Sequence, residues 1–168
     1  FGVKIEYKKT IFSREEVKHI IKESGETGEL ADGEHKLLHK IFEFNDKLSK
    51  EIMVPRERIL AIDADIGREE IMRIVTEENY TRYPIYRQCI DNIIGVIHAK
   101  AIINMIANNP LFILEDLIIE PYFVSEDKKI STIFTEFQQK GLHIAIVKDA
   151  QGAVSGLIEI KDILKIIF

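Results

Sequence analysis

Three observations predict an α/β (α+β) chain made of two β-α-β-β-α repeats with pseudo-two-fold symmetry, preceded by a helical lead-in. The first is an internal repeat. Tyr83-Pro84-Ile85-Tyr86 and Asp91-Asn92-Ile93-Ile94-Gly95-Val96-Ile97-His98 return 61 residues later as Ile144-Ala145-Ile146-Val147 and Gly152-Ala153-Val154-Ser155-Gly156-Leu157-Ile158-Glu159. The second is that each copy reads as short strand, turn, strand ending past a glycine, then helix. The third is a change of apolar period at Pro55, from helical spacing before it to short strands and helices after it. Like units make clefts at their seam, where ligands usually sit.

The elements follow in order. Ser13-Arg14-Glu15-Glu16 is a capping box that opens a helix carrying Val17, Ile20 and Ile21. Gly25 and Gly28 are expected to stop it. A second helix starts at Asp32, with Leu37, Leu38, Ile41 and Phe42 on one stripe. A short segment over 47–53 ends before Pro55, which cannot readily continue a helix. This lead-in has little apolar mass of its own and must dock on the rest or on a partner.

In the first repeat, 59–62 reads as a strand and 67–79 as a helix with Ile71, Ile74 and Val75 inward. Strands over 83–86 and 93–97 flank a turn expected at Asp91-Asn92. The helix over 99–107 ends at Asn108-Asn109-Pro110. In the second repeat, 122–124 is a strand and 129–139 a helix with Ile130, Ile133, Phe134 and Phe137 on one face, ended by Gly141. Strands over 143–147 and 154–158 flank a turn at Gly152, and 160–167 is the last helix. The expected division is 1–50 for the lead-in, 51–110 for repeat one and 111–168 for repeat two.

Of 168 residues, 46% are hydrophobic and 30% charged, enough for one domain with a real core or two small ones sharing it. No apolar run approaches the roughly 18 residues of a membrane span. The greasy stretch Leu111-Phe112-Ile113-Leu114 runs into acids. The chain begins at Phe1 without a methionine and is expected to be an excerpt of a longer protein. Its 28 acids against 23 bases give a net charge of −5, and its basic runs are only the pairs Lys8-Lys9 and Lys128-Lys129. That argues against nucleic acid as a partner. Cys89 is alone, which excludes an internal disulfide and a cysteine metal knuckle, and a reducing compartment fits. His35 and His39 share a helix face four apart, a spacing that could seat a metal, but no third ligand is evident, so a solvated face is expected. There is no nucleophile-base-acid constellation and no Walker-type glycine loop, so catalysis is not expected.

Several strings together carry a resemblance. They are Glu43-Phe44-Asn45-Asp46, Glu51-Ile52-Met53-Val54-Pro55-Arg56, Ile62-Asp63-Ala64-Asp65, Tyr80-Thr81-Arg82-Tyr83-Pro84-Ile85-Tyr86 and Gly95-Val96-Ile97-His98-Ala99-Lys100. With the doubled β-α-β-β-α unit, they resemble the CBS domain pair (Bateman module) of the CorC/HlyC hemolysin-like and CNNM metal-transporter family. The resemblance runs from about Phe12 to the C-terminus. It implies a regulatory module on the cytoplasmic side of the membrane, cut from a magnesium- or cobalt-type transporter with its own transmembrane domain. It implies binding of an adenine nucleotide, ATP or AMP, with or without Mg2+, and a homodimer of CBS pairs in a flat disc. A structural dimerisation module with a degenerate pocket is the alternative.

The resemblance also implies the site residues. Asp162, in the first turn of the last helix, would accept from both ribose hydroxyls; without a ligand it is a good first-turn acid. Glu159 stands where the family motif has Thr or Ser. A carboxylate there would repel phosphate or hold a cation that accompanies the nucleotide. Arg82 is the candidate phosphate clamp, because its guanidinium fork matches phosphate oxygens. Thr81 offers a hydroxyl or N–H, and Tyr80 either lies against the base or anchors the core. Ile62 and Asp63 would present backbone to adenine, with the Ile62 side chain packing on the ring, and Pro84 fixes the strand entrance. In the first copy Ala101 aligns with Asp162 and His98 with Glu159, so the ribose acceptor is missing. One nucleotide site is expected, not two, and His98 is expected to be an ordinary strand-end histidine.

Overall fold

The computed structural model describes residues 12–28, 31–108 and 113–167. Lys8-Lys9, Asn109-Pro110 and Leu111-Phe112 lie outside them. The lead-in is a helical hairpin, α1 (Arg14–Glu26) and α2 (Asp32–Asp46). Ser13 Oγ accepts from the Glu16 N–H at 3.2 Å, and Glu16 Oε2 accepts from the Ser13 N–H at 2.6 Å, closing the expected capping box. Gly25 does not end α1. It lies inside the helix with its bare face against the His35 ring, and the chain turns after it at Gly28, φ 77°. Close packing of the hairpin, not helix termination, is what Gly25 serves.

The lead-in docks on repeat two. Phe44 is buried among Val124, Ile130, Ile133, Phe137 and Ile163, with its ring edge-on to Phe134 at 6.0 Å. The chain after α2 is tied to the same repeat by backbone. Ser49 N–H donates to Lys128 O, Lys50 N–H to Glu126 O, and Ile130 N–H to Lys47 O. Ser49 is fully buried, and its hydroxyl donates to Ser125 O at 2.6 Å.

Repeat one holds a three-stranded sheet, β2 (Ile62–Asp63), β3 (Arg82–Arg87) and β4 (Cys89–His98), with β2 parallel and β4 antiparallel to β3. Helices α3 (Arg68–Glu78) and α4 (Ala99–Asn108) cover it. Repeat two repeats this with β5 (Phe123–Ser125), β6 (Ile144–Lys148) and β7 (Val154–Glu159), plus α5 (Ile130–Lys140) and α6 (Ile160–Ile167). A short β1 (Val54–Pro55) adds to the outer edge of β7. Its counterpart in repeat one is the bridge between Val96 and Ile119.

Two glycines make both additions possible. A Cβ on Gly156 would lie 2.8 Å from Val54 O, and one on Gly95 would lie 2.9 Å from Ile119 O. No side chain fits there without pushing the crossing segment away. These glycines are 61 residues apart, as are the ends of β4 and β7 at His98 and Glu159. The repeat read in the sequence is therefore a repeat in space.

Two boundaries differ from expectation. The span 59–62 is mostly irregular, with a 3-10 turn over Arg56–Arg58 and regular strand only at Ile62–Asp63. The turn between β3 and β4 sits at Gln88, φ 69°, and not at Asp91-Asn92, which lie inside β4. Asp91 has stronger partners than a turn could offer. Its carboxylate takes both terminal nitrogens of Arg56, one at 2.9 Å, and the Val154 N–H at 2.8 Å. Arg56 also donates to Val154 O at 2.7 Å. This cluster bridges the two repeats, and the Arg56 guanidinium holds the Asp91 carboxyl at about 2. Beside it the sheets meet through Ile93, Val96, Ile144, Ile146, Val154 and Leu157. No described helix is long and apolar enough to cross a membrane.

Candidate functional site

The seam opens into a cavity of about 290 Å3. Its floor is apolar: Val54 of β1, Ile59 and Leu60, Pro84 of β3, Ile144 of β6 and Leu157 of β7. Tyr80 and Arg82 enter from repeat one. Glu159, Lys161, Asp162 and Lys165 enter from the β7–α6 junction of repeat two, and Arg58 from the 3-10 turn. Five residues named from sequence, Tyr80, Arg82, Pro84, Glu159 and Asp162, thus meet in one cavity although they are drawn from both repeats.

The other three are placed elsewhere. The Ile62 side chain is fully buried in the core of repeat one. Asp63 accepts the Asp65 N–H at 3.0 Å in a local turn. Thr81 is exposed, and its carbonyl accepts the Ala99 N–H at 2.9 Å. None of the three lines the cavity. A short strand with one face on a core sends its apolar side chain inward, and this places the Ile62 side chain.

The junction between β7 and α6 sets the chemistry. Asp162 Oδ2 accepts the Glu159 N–H at 3.4 Å, and its side chain is 16% exposed. Glu159 is one of two buried polar residues among those described. Lys161 pairs with Glu159 and sits over the Tyr80 ring, 5.7 Å from its centroid, so this chain of contacts spans the seam. The Glu159 carboxylate holds the Lys161 ammonium above its usual range. Lys165 pairs with Asp162 at 3.1 Å. Among the described residues, no carboxylate lies within ion-pair distance of Arg58 or Arg82. Four cations thus face two carboxylates, and the two guanidiniums are the uncommitted ones. The arrangement suits an anionic ligand with an apolar part.

A second cavity of about 220 Å3 lies on the pseudo-symmetric side, lined by Val96, His98, Ile119, Glu120, Tyr122, Leu142 and His143, with Arg82 shared between the two. Ala101, aligned with Asp162, is not among its lining residues. His98 Nδ1 accepts the Lys100 N–H at 3.2 Å. Burial, and then the charges of Arg82, Lys100 and His143, push its pKa down.

Among the described residues no three His, Cys, Asp or Glu side chains are placed to hold a metal. His35 and His39 line a groove of about 670 Å3 between α1 and α2, where His39 lies 3.4 Å from Glu43. Cys89 is exposed at the start of β4.

The family model "CBS domain" matches residues 50–108 and 114–168. The magnesium and cobalt efflux protein CorC of Vibrio cholerae is 30% identical over 154 residues, covering 90% of this chain and 53% of its own length. The chain spans about a third to a half of the curated relatives it matches. A solved CBS domain of a bacterial CNNM/CorC family Mg2+ transporter, in complex with an inhibitor, superposes with a TM-score of 0.85 at 31% identity, covering 92% of this chain and 96% of that one. The corresponding structure in complex with ATP gives 0.76 at 30% identity, covering 80% and 96%. A CBS-domain pair with bound AMP from Klebsiella pneumoniae gives 0.64 at 30% identity, covering 71% and 97%. With two family matches and the seam between them, the chain belongs to the CBS-domain family as a tandem pair of the CNNM/CorC type.

Proposed function

We propose that this chain is a cytoplasmic regulatory module of an ion-transporting membrane protein and binds an adenine nucleotide in the larger seam cavity. One observation carries the reading. Residues of both repeats converge on one apolar-floored cavity with two uncommitted guanidiniums and a carboxylate at a helix start. Pro84, Leu157 and Ile144 offer apolar walls for a base. Asp162 offers the acceptor for ribose, exchanging Lys165 for two hydroxyls. Arg58 and Arg82 offer donors to phosphate. The relatives with ATP or AMP bound support the same ligand class.

A ligand clasped between repeats favours one setting of the two, and it can shift that setting only by its differential affinity. The lead-in, fastened to repeat two, carries the setting toward a transmembrane domain. Any Mg2+ arrives with the nucleotide, because Glu159 and Asp162 are each paired with a lysine. The family resemblance extends the reading to a homodimer of CBS pairs, to be checked by analytical ultracentrifugation. No turnover is required of the site.

A structural dimerisation module is the competing reading, and the same two lysine pairs favour it because the carboxylates are satisfied without ligand. Thermal melting with AMP, ATP and Mg2+ separates the two. A ligand at about 100 times its dissociation constant stabilises by about 2.7 kcal/mol. An upward shift that Asp162→Ala removes supports the sensor. No shift with any adenine nucleotide supports the structural module.

A further inference from the structure

The segment that crosses from the lead-in to repeat one is held loosely along its length and tightly at one point. Its strand β1 has two residues, and one of them, Pro55, has no N–H to give the ladder with β7. Beyond it, the Ile59 N–H turns back onto Arg56 O at 3.1 Å. Among the described residues, no backbone–backbone hydrogen bond ties 56–61 to another element. Ile59 and Leu60 are only partly buried where they meet the cores.

The tight point is Arg56. Its guanidinium takes both oxygens of Asp91 and donates to Val154 O at 2.7 Å, while the Val154 N–H donates to Asp91 at 2.8 Å. The crossing segment, repeat one and repeat two thus close one ring of hydrogen bonds. Val154 sets its polarity, because its C=O needs a donor at 56 and its N–H an acceptor at 91. Position 56 must serve a carboxylate and a carbonyl together, which suits a planar fork and not a point charge. The two side chains are 34% and 40% exposed, so water competes for these bonds and they can part without opening a core. Arg56 does not line the seam cavity, but Val54 before it and Arg58, Ile59 and Leu60 after it do.

We infer that 54–60 is a strap across the seam, latched by Arg56, and that releasing the latch opens the cavity locally while both repeats stay folded. The inference goes beyond the binding reading and holds for the free chain whatever ligand the cavity takes. A segment that gates a cavity must open at lower cost than the cores, and the sparse ties of 56–61 meet that condition.

Hydrogen exchange of the unliganded chain, read by mass spectrometry, tests the latch. In Arg56→Gln, peptides covering 54–61 are expected to exchange about tenfold faster, from the loss of charge-assisted hydrogen bonds. Peptides from α3 and α5 are expected to keep the parent rates. Asp91→Asn leaves Val154 an acceptor and is the milder variant, with a smaller rise confined to the same peptides. Arg56→Lys keeps the charge without the fork and should fall between the parent and Arg56→Gln. Parent rates over 54–61 in both Arg56→Gln and Asp91→Asn overturn the inference. So does a rise matched in α3 and α5, which would make Arg56 a support of the whole fold and not the latch of a strap.

Discussion

At the end of β7 the larger seam cavity receives Glu159; at the end of β4, its counterpart, the smaller one receives His98. Arg82 in the first corresponds to His143 in the second, and Tyr80 to Gly141. Asp162, with a lysine on it, corresponds to Ala101. The backbone conditions are met twice: a glycine under a crossing segment, a strand ending at the same register, a helix starting one residue later. The charge conditions are met once. Packing constrains both copies alike, because each must seat a crossing strand on its sheet. The seam side chains face a cavity, so nothing in the core forces the two sets to agree.

The strongest way to break this comparison is to move the carboxylate. Asp162→Ala is expected to weaken nucleotide binding about a hundredfold, the loss of two charge-assisted hydrogen bonds at about 1.5 kcal/mol or more each. The mirror change, Ala101→Asp, is expected to leave calorimetric stoichiometry at one, because Gly141 stands where the first cavity has Tyr80. A stoichiometry of two would show that the acid alone separates the cavities.

The shared backbone can be tested next. Gly95→Ala and Gly156→Ala each force a Cβ onto a crossing backbone carbonyl and are expected to destabilise by about 1–3 kcal/mol in urea unfolding. The two costs should agree within about 1 kcal/mol. A cost at only one position would mean that one crossing is dispensable.

A smaller effect concerns the Asp91–Arg56 bridge. Its carboxyl sits at about 2 in the folded chain, below the ordinary aspartate value of 3.8, because Arg56 and the Val154 N–H favour the charged form. The unfolded chain therefore binds the proton more readily between those values. The bridge contributes fully above the unfolded value and is lost as the pH falls toward 2. Urea midpoints taken from pH 5 downward should fall less steeply in Asp91→Asn than in the parent chain. The smallest effect is at His98. His143→Ala removes one of the charges that push its pKa down, so imidazole titration by NMR should show a small upward shift, with burial still holding it below the usual range.

Much of the frame was legible because its signals are local. Ser13 with Glu16, Gly141 after α5 and Gly152 at its turn each act within a few residues. The repeat was legible because both glycines and both strand ends keep one spacing. In the site, Tyr80, Arg82, Pro84, Glu159 and Asp162 could be named because each sits at a strand or helix end whose partner copy marks the position. Arg58 could not, since it reaches the cavity from a 3-10 turn just before the span that reads as strand, where no repeat partner marks it. Lys161 and Lys165 carry a weak signal: they flank Asp162 on one amphipathic helix, where a lysine is usually a solvated side chain. Asp91 reads as a turn residue because its partners, Arg56 and Val154, lie 35 and 63 residues away. Pleating turns the Ile62 side chain into the core of repeat one and away from the cavity, which speaks to its side chain and not to its backbone.

The anchorage of the lead-in has a mechanical consequence. Phe44, the backbone bonds at 47–50 and β1 all grip repeat two. The helical hairpin, the β7 edge and the carboxylate of Asp162 would therefore move as one arm in any rotation of one repeat against the other. Such a rotation of a few degrees at the seam would be magnified at the far tip of α1.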